Sequence, residues 1–134
     1  MTNTAKNRGT AWESAIVTYL IQEGWLNTER RALSGGQDKG DISGIPGVMI
    51  EAKNAKALTL GTWIKEVITQ TLNARAEIGV AWIKRRGHSS PGEAYVVMTG
   101  ATFAYLLKCA GWARQGPMEY GTEPPKKAEP EAPK

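Results

Sequence analysis

The sequence is poor in the residues that crosslink or metal-stabilise small domains. Its 134 residues include one cysteine, Cys109, and one histidine, His88. A lone cysteine cannot form an internal disulfide, and without a Cys/His cluster a zinc-finger module is excluded. The lone histidine also lacks the partner that an HNH-type nuclease centre needs. A chain of this length can bury a core without crosslinks, and its cysteine usage suits a reducing cytosol.

Long apolar runs are missing as well. No stretch approaches the roughly 20 residues of a membrane span, and the polar start through Thr10 lacks the hydrophobic segment of a secretory signal. We therefore expect a soluble protein that stays inside the cell, in the cytoplasm.

The two ends of the chain differ in composition. Residues 117–134 consist mostly of Pro, Lys, Glu and Ala and contain almost nothing to bury, which predicts a disordered tail after a domain over residues 1–116. The formal net charge is +4, and the tail holds more Glu than Lys. The positive excess therefore lies in the body, where it suits a phosphate-rich partner.

Helical spacing of apolar residues predicts a first amphipathic helix over about residues 11–23. Thr10 is placed to cap its start, Glu13 completes a capping box three residues later, and Gly24 is placed to end it. The predicted apolar stripe consists of Trp12, Ala15, Ile16, Tyr19 and Leu20.

A β-hairpin is predicted next. Residues 30–40 read RRALSGGQDKG, which is loop chemistry, and they lead into two short apolar segments, 41–43 and 48–53. The intervening residues end in Pro46-Gly47, a pair that suits the central positions of a type II turn. The two segments should therefore pair as antiparallel strands.

The remainder alternates helix and strand patterns. A second amphipathic helix is predicted over about residues 62–76, strands over 78–83 and 94–98, and a last helix from Thr102 to Gly111. The predicted buried stripe of the second helix consists of Leu60, Ile64, Val67, Ile68 and Thr71. This order of elements indicates an α/β domain around a central mixed sheet.

The hairpin brings chemistry-bearing side chains together. Pairing positions equidistant from the turn places Asp41 opposite Glu51 or one residue away, and Glu51 and Lys53 project from the same face of their strand, about 6.6 Å apart. Two neighbouring carboxylates repel unless a proton or a cation lies between them, and hard oxygen ligands favour Mg²⁺ or Mn²⁺. Such an ion meets the demands of phosphodiester hydrolysis, in which Lys53 would orient or deprotonate a water or counter developing charge.

The spacing Asp41-x9-Glu51-x-Lys53 resembles the core motif of the PD-(D/E)XK nuclease superfamily, and Glu13 matches the additional acidic residue on that superfamily's first helix. Within it the chain is similar to the archaeal-type Holliday junction resolvases over roughly residues 8–100. The helix bearing Glu13, the segment RRALSGGQDKGDI and the hairpin ending in IEAKN carry this similarity. The proline that often precedes the first Asp of the motif is Gly40 here.

The resemblance implies a restriction-endonuclease-like core and a homodimer that makes paired nicks in four-way DNA junctions during recombination, repair or replication. It implies Mg²⁺, with Mn²⁺ as a substitute, and a loop serine, Ser34, that approaches the scissile strand. The implied metal site consists of Asp41, Glu51 and the main-chain carbonyl of Ala52, with Glu13 assisting.

Gln70 opens an alternative within the same superfamily. It flanks the apolar stripe of the second helix, where a polar group usually has a partner. In RecB-like nucleases a glutamine on this helix faces the active site and a tyrosine follows four residues later, a position that Ala74 occupies here. A RecB-like exonuclease or a flap nuclease is therefore the alternative enzyme.

Basic residues near the proposed site suit contacts with backbone phosphates, which give affinity without reading sequence. They also suit an alternative of another class, a non-catalytic module that only binds nucleic acid and needs no Mg²⁺. In that alternative the acidic residues are caps and surface charges. The candidate DNA-binding residues are Arg8, Arg30, Arg31, Lys39, Lys84, Arg85 and Arg86.

Overall fold

The computed structural model describes residues 4–32 and 36–111. The chain divides into two compact units, Met1–Thr99 and Gly100–Lys134. The helices are α1 (Thr4–Gln22), α2 (Leu60–Asn73) and α3 (Gly100–Cys109). The strands are β1 (Glu29–Arg30), β2 (Ile42–Ser43), β3 (Val48–Lys53), β4 (Ile78–Ile83) and β5 (Tyr95–Val97), and a 3₁₀ turn at Pro91–Glu93 precedes β5.

The five strands form one mixed sheet in the order β1-β2-β3-β4-β5. Strands β3 and β4 run parallel and are joined through α2, whereas the other neighbouring pairs are antiparallel. The predicted α/β architecture with a mixed sheet is confirmed.

Each face of the sheet packs against one helix, because successive strand residues point to opposite faces. On one face, α1 packs against Ile50, Val80 and Trp82. On the other, α2 packs against Met49, Ala81 and Ile83. Glu51 and Lys53 have the same parity as Met49, so the candidate site lies on the α2 face of β3.

The start of α1 corrects one prediction. The helix begins at Thr4, so Thr10 lies inside it and cannot be its N-cap. The polar residues before Ala11 carry no apolar periodicity, and the sequence pattern therefore missed the first turns. Glu13 is therefore not part of a capping box at the start of α1.

Gly24 ends α1 as predicted. Its φ of +107° is accessible to glycine at little cost. The amides of Gly24 and Trp25 donate to the carbonyls of Ile21 and Leu20 at 3.0 and 2.9 Å, which is the Schellman pattern. The chain thereby leaves α1 and passes to the sheet.

The hairpin has the predicted turn. The amide of Val48 donates to the carbonyl of Ile45 at 3.1 Å, and Gly47 has a φ of +80°, as position i+2 of a type II turn requires. Ile42 pairs with Ile50, one residue away from the Ile42–Glu51 pairing that a hairpin with only Pro46 and Gly47 between its strands would give. One residue further from the turn, Asp41 therefore stands across from Glu51.

Helix α2 is rotated relative to the prediction. It buries Trp63, Val67 and Gln70, whereas Leu60 and Ile68 of the predicted stripe are exposed. Apolar residues occur around most of this helix, so periodicity alone could not choose the buried side. The observed orientation brings the flank of α2 that carries Gln70 toward the candidate site.

In the second unit, the structure describes residues 100–111, which form helix α3 and the turn that follows it. Helix α3 begins at Gly100, two residues before the predicted start, and Gly111 follows it with a φ of +89°. Within residues 4–32 and 36–111, no helix combines the length and apolar character needed to cross a membrane.

Candidate active site

Asp41 is fixed by the hairpin at the edge of the proposed site. Its amide donates to the carbonyl of Ile50 at 3.0 Å, and its carbonyl accepts from the amide of Arg31 at 2.7 Å. Its Oδ2 accepts a hydrogen bond from the amide of Ala52 at 2.9 Å. Backbone pairing on both sides therefore determines where this carboxylate lies.

Glu51 lies in the middle of β3 and is 9 % exposed. Burial and the nearby charge of Asp41 raise the pKa of Glu51 to about 8. Burial also raises the pKa of Asp41, opposed by the Ala52 hydrogen bond and reinforced by the charge of Glu13. The two carboxyl groups thus form a like-charge pair that holds a proton near neutral pH unless a cation replaces it.

The donor set fits a hard divalent cation. The Oε1 atom of Glu51 is buried and has no hydrogen-bond partner, so the pair has an oxygen free to act as a ligand. In the described parts of the chain, no three Asp, Glu, His or Cys side chains are grouped to hold a metal. A cation here would therefore complete its shell with main-chain oxygen, water or substrate phosphate, as Mg²⁺ commonly does.

Lys53 is held as a cation next to this pair. Its Nζ lies 2.7 Å from Oε1 of Glu66 on α2 and 3.4 Å from Oε2 of Glu51, and it stands over the ring of Trp63 at 5.6 Å. Burial alone would lower the pKa of Lys53, but the hydrogen bond to Glu66 and the charges of both glutamates leave it raised. Lys53 is therefore suited to counter negative charge, and poorly suited to serve as a base.

Glu13 approaches the site from α1. Its charge is one cause of the raised pKa of Asp41, which places it within electrostatic reach of the carboxyl pair. Its Oε1 accepts from Nε of Arg30 at 3.0 Å. The arrangement is compatible with an assisting role for Glu13, and Arg30 is engaged in neutralising it.

Asp38 is a further acidic residue that the sequence pattern missed. Its charge raises the pKa of both Asp41 and Glu51. Its Oδ2 accepts from Nε2 of Gln70 at 2.8 Å, and its carbonyl accepts from Nδ2 of Asn73 at 2.9 Å. These bonds attach the segment before Asp41 to α2.

Gln70 is buried beside the site, as its position on the helix indicated. It is 4 % exposed, and its Oε1 has no hydrogen-bond partner. Together with Asp38 and Glu66 it lines a cavity of about 300 Å³ on the α2 side. Its role is therefore to hold Asp38 at the edge of the carboxyl pair.

We expect Gln70→Ala to weaken apparent Mg²⁺ affinity by about 10–100-fold, the usual cost of losing a residue that orients ligands. The reason is that the Asp38 carboxylate loses its hydrogen bond to α2. A calorimetric Mg²⁺ titration measures the effect, with Thr62→Ala, an exposed position on the same helix outside this cavity, as control. An unchanged Mg²⁺ midpoint in a folded Gln70→Ala protein would refute this role.

The proposed roles of Ser34 and of the Ala52 carbonyl stay predictions. Ser34 lies outside the described residues. The amide of Ala52 donates to Asp41, but the assignment of its carbonyl to a metal rests on the resemblance alone.

The predicted DNA-binding residues fall into different environments. Arg30 pairs with Glu13. Arg85 donates to the carbonyl of Glu93 at 3.2 Å and lies over the ring of Tyr95. Arg31 is half-buried and its Nε is buried without a partner. The side chains that remain turned to solvent are Arg8, Lys39 and Arg86, and Lys84 is half-buried.

Glu66 is the other residue that the sequence analysis missed. It occurs one turn before Gln70, and residues four apart lie on the same side of a helix. Choosing Trp63, Val67 and Gln70 as the buried stripe would have turned Glu66 toward the end of β3. No comparable signal marks Asp38, which lies in a glycine-rich segment without periodicity.

Comparisons with protein-family models, with curated proteins and with solved structures find no match to this chain.

Proposed function

We propose that this protein is a divalent-metal-dependent endodeoxyribonuclease that hydrolyses phosphodiester bonds in branched DNA. The observation that carries the proposal is the pairing of Asp41 with Glu51 across the hairpin, with Lys53 held as a cation on the same face. Two carboxyl groups with an unpartnered buried oxygen suit a divalent cation, and an adjacent ammonium suits the charge that develops on a phosphate during metal-assisted hydrolysis.

Asp41 and Glu51 would hold the ion, with the Ala52 carbonyl and Glu13 in the supporting positions that the resemblance implies. Bound there, Mg²⁺ supplies positive charge to the phosphate and lowers the pKa of an attacking water. The chain itself keeps the carboxyl groups in register through the backbone bonds of Asp41, and it shields Glu51 from bulk water. Both effects strengthen electrostatic interactions at the phosphate.

Lys53 would stabilise the negative charge that develops on the phosphate oxygens. Its raised pKa keeps it protonated, and Glu66 limits the positions that its ammonium group can adopt. A charge that is already oriented needs little reorganisation during the reaction, which is why such groups are effective.

The proposed preference for branched DNA rests on the resemblance to the archaeal-type Holliday junction resolvases. The proposals of a restriction-endonuclease-like core and of a homodimer rest on the same resemblance. Exposed cations that contact phosphates select shape more than sequence, which suits a junction. We infer that a four-way junction is the substrate and that Mn²⁺ can substitute for Mg²⁺ as the required cation.

A cleavage assay tests this function. Labelled four-way junction, flap, linear duplex and single strand are incubated side by side with Mg²⁺, with Mn²⁺ and with a chelator. We expect paired, symmetric nicks in the junction that need the metal. Binding without any metal-dependent cutting would instead support the non-catalytic nucleic-acid-binding module.

The buried Gln70 favours a second candidate, a RecB-like exonuclease or a flap nuclease. Its amide contacts Asp38, whose charge acts on both catalytic carboxyl groups. Stepwise shortening of linear duplex, or cutting restricted to flaps, would favour this candidate over the resolvase.

A further inference from the structure

A small basic cavity lies where the parallel strands β3 and β4 end. It has a volume of about 80 Å³ and is lined by Asn54, Ala55, Lys56, Lys84 and Arg86. The segments following the two strands are held side by side, because the amide of Lys84 donates to the carbonyl of Lys53 at 2.9 Å. The carboxyl ends of neighbouring parallel strands are a common place for ligands.

The lining of this cavity is cationic. Lys56, Lys84 and Arg86 contribute three positive charges, Asn54 contributes an amide, and no carboxylate takes part. Across the described residues, none of the ion pairs involves these three cations, whereas Arg30 and Lys53 are paired with glutamates. The cavity therefore concentrates positive charge that the protein does not itself neutralise.

Two of the lining residues are held in place. The Nζ atom of Lys84 lies over the ring of Trp12 at 5.3 Å and donates to the carbonyl of His88 at 3.2 Å. Nδ2 of Asn54 donates to the carbonyl of Arg8 on α1 at 3.5 Å. A cation with restricted positions loses less entropy when it binds an anion.

The volume of the cavity limits its occupant. Sites for drug-sized ligands measure about 300–1,000 Å³, so this cavity admits a single small group such as a phosphate.

We propose that Asn54, Lys56, Lys84 and Arg86 bind one backbone phosphate of DNA. The choice of DNA as the source of the phosphate rests on the proposed function, whereas the charge and size of the cavity do not depend on the carboxyl pair.

Binding of a four-way junction, followed by fluorescence anisotropy in the presence of a chelator, tests the proposal without cleavage. Lys56→Gln and Arg86→Asn each remove one cation from the cavity. Arg75→Asn removes an exposed cation next to the start of β4, at the other end of the strands, and asparagine tolerates the φ of +56° at that position.

The dependence of affinity on salt is the measured quantity. Each phosphate contact contributes about 0.9 to the slope of log K against log salt in duplex DNA. We expect Lys56→Gln and Arg86→Asn to reduce this slope by about 1 for each bound protomer, hence by about 2 for the proposed homodimer, and Arg75→Asn to leave it unchanged. Equal slopes for all four proteins, confirmed as folded by circular dichroism, would overturn the proposal.

Neutral methylphosphonates placed one at a time along the junction strands locate the contact. For each bound protomer, we expect one position that weakens binding by the wild-type protein and has no effect on Lys56→Gln. If inorganic phosphate competes with DNA but no methylphosphonate position matters, the cavity binds free anions and the DNA assignment is wrong. A junction that binds with the expected slopes but is never cut would refute the nuclease while leaving the phosphate site intact.

Discussion

Asp41→Asn and Lys53→Ala are each expected to reduce cleavage of a four-way junction by at least about 10²–10³-fold while leaving junction binding largely intact. Asparagine keeps the shape of Asp41 but removes the charge that holds the cation. Alanine at position 53 removes the ammonium that counters charge on the phosphate, and the loss of one oriented electrostatic group commonly has an effect of this size.

Single-turnover cleavage and anisotropy, measured on the same junction, separate the two effects. Glu23→Gln and Lys108→Ala serve as controls, because each changes one exposed charge by the same amount as the corresponding test substitution. Loss of binding with retained cutting would contradict the assignment of Asp41 and Lys53 to catalysis.

The metal-free protein is expected to lose stability as the pH rises from about 5 to about 8.5. The pKa of Glu51 rises from 4.5 in the unfolded chain to about 8 in the folded one. Between these values the folded protein binds a proton that the unfolded chain has released. The stabilisation is therefore complete below the lower pKa and is lost as the pH passes the upper one.

Thermal unfolding across this range, with and without saturating Mg²⁺, measures the effect. We expect the metal-free Tm to fall by at least about 5 °C, since one pKa unit corresponds to about 1.4 kcal/mol and about 1 kcal/mol moves Tm by roughly 4 °C or more. At the proposed site Mg²⁺ would replace the proton between Asp41 and Glu51, so we expect its stabilising effect to grow with pH.

The glutamine variant Glu51→Gln is the control for this effect, because it removes the titrating group and most of the Mg²⁺ effect together. The charges of Asp41 and Asp38 raise the pKa of Glu51 and the charge of Lys53 lowers it, and these three groups remain in the Glu51→Gln variant. A metal-free Tm that rises over the same pH range in the wild-type protein would show that the carboxyl pair does not carry a shared proton.

The part of the site built by the hairpin could be predicted from the sequence. The Pro46-Gly47 turn brings the two strands together and places Asp41 within one residue of Glu51, and the alternation of side chains places Lys53 with Glu51. These relations depend only on local backbone geometry. They do not require knowledge of which helix covers which face.

The contributions from α2 and from the glycine-rich segment could not be predicted in the same way. Several apolar residues compete for the buried side of α2, and only packing against β3 and β4 decides that Trp63 and Val67 are buried and Ile68 is not. Because α2 buries this side, Glu66 lies within hydrogen-bond distance of Lys53. Asp38 is held by tertiary hydrogen bonds to Gln70 and Asn73, and no local sequence pattern predicts these bonds.

The early start of α1 changes the interpretation of Glu13. As a member of a capping box it would have needed no further explanation, but in mid-helix it pairs with Arg30 and influences Asp41. A residue whose structural role disappears in this way becomes a stronger candidate for function.

Anomalous diffraction from crystals soaked in Mn²⁺ measures most directly whether the carboxyl pair binds a divalent cation. The account predicts one strong peak within coordination distance of both Asp41 and Glu51, and its loss in Asp41→Asn crystals. A peak that contacts neither carboxyl group, or none at saturating Mn²⁺, would contradict it.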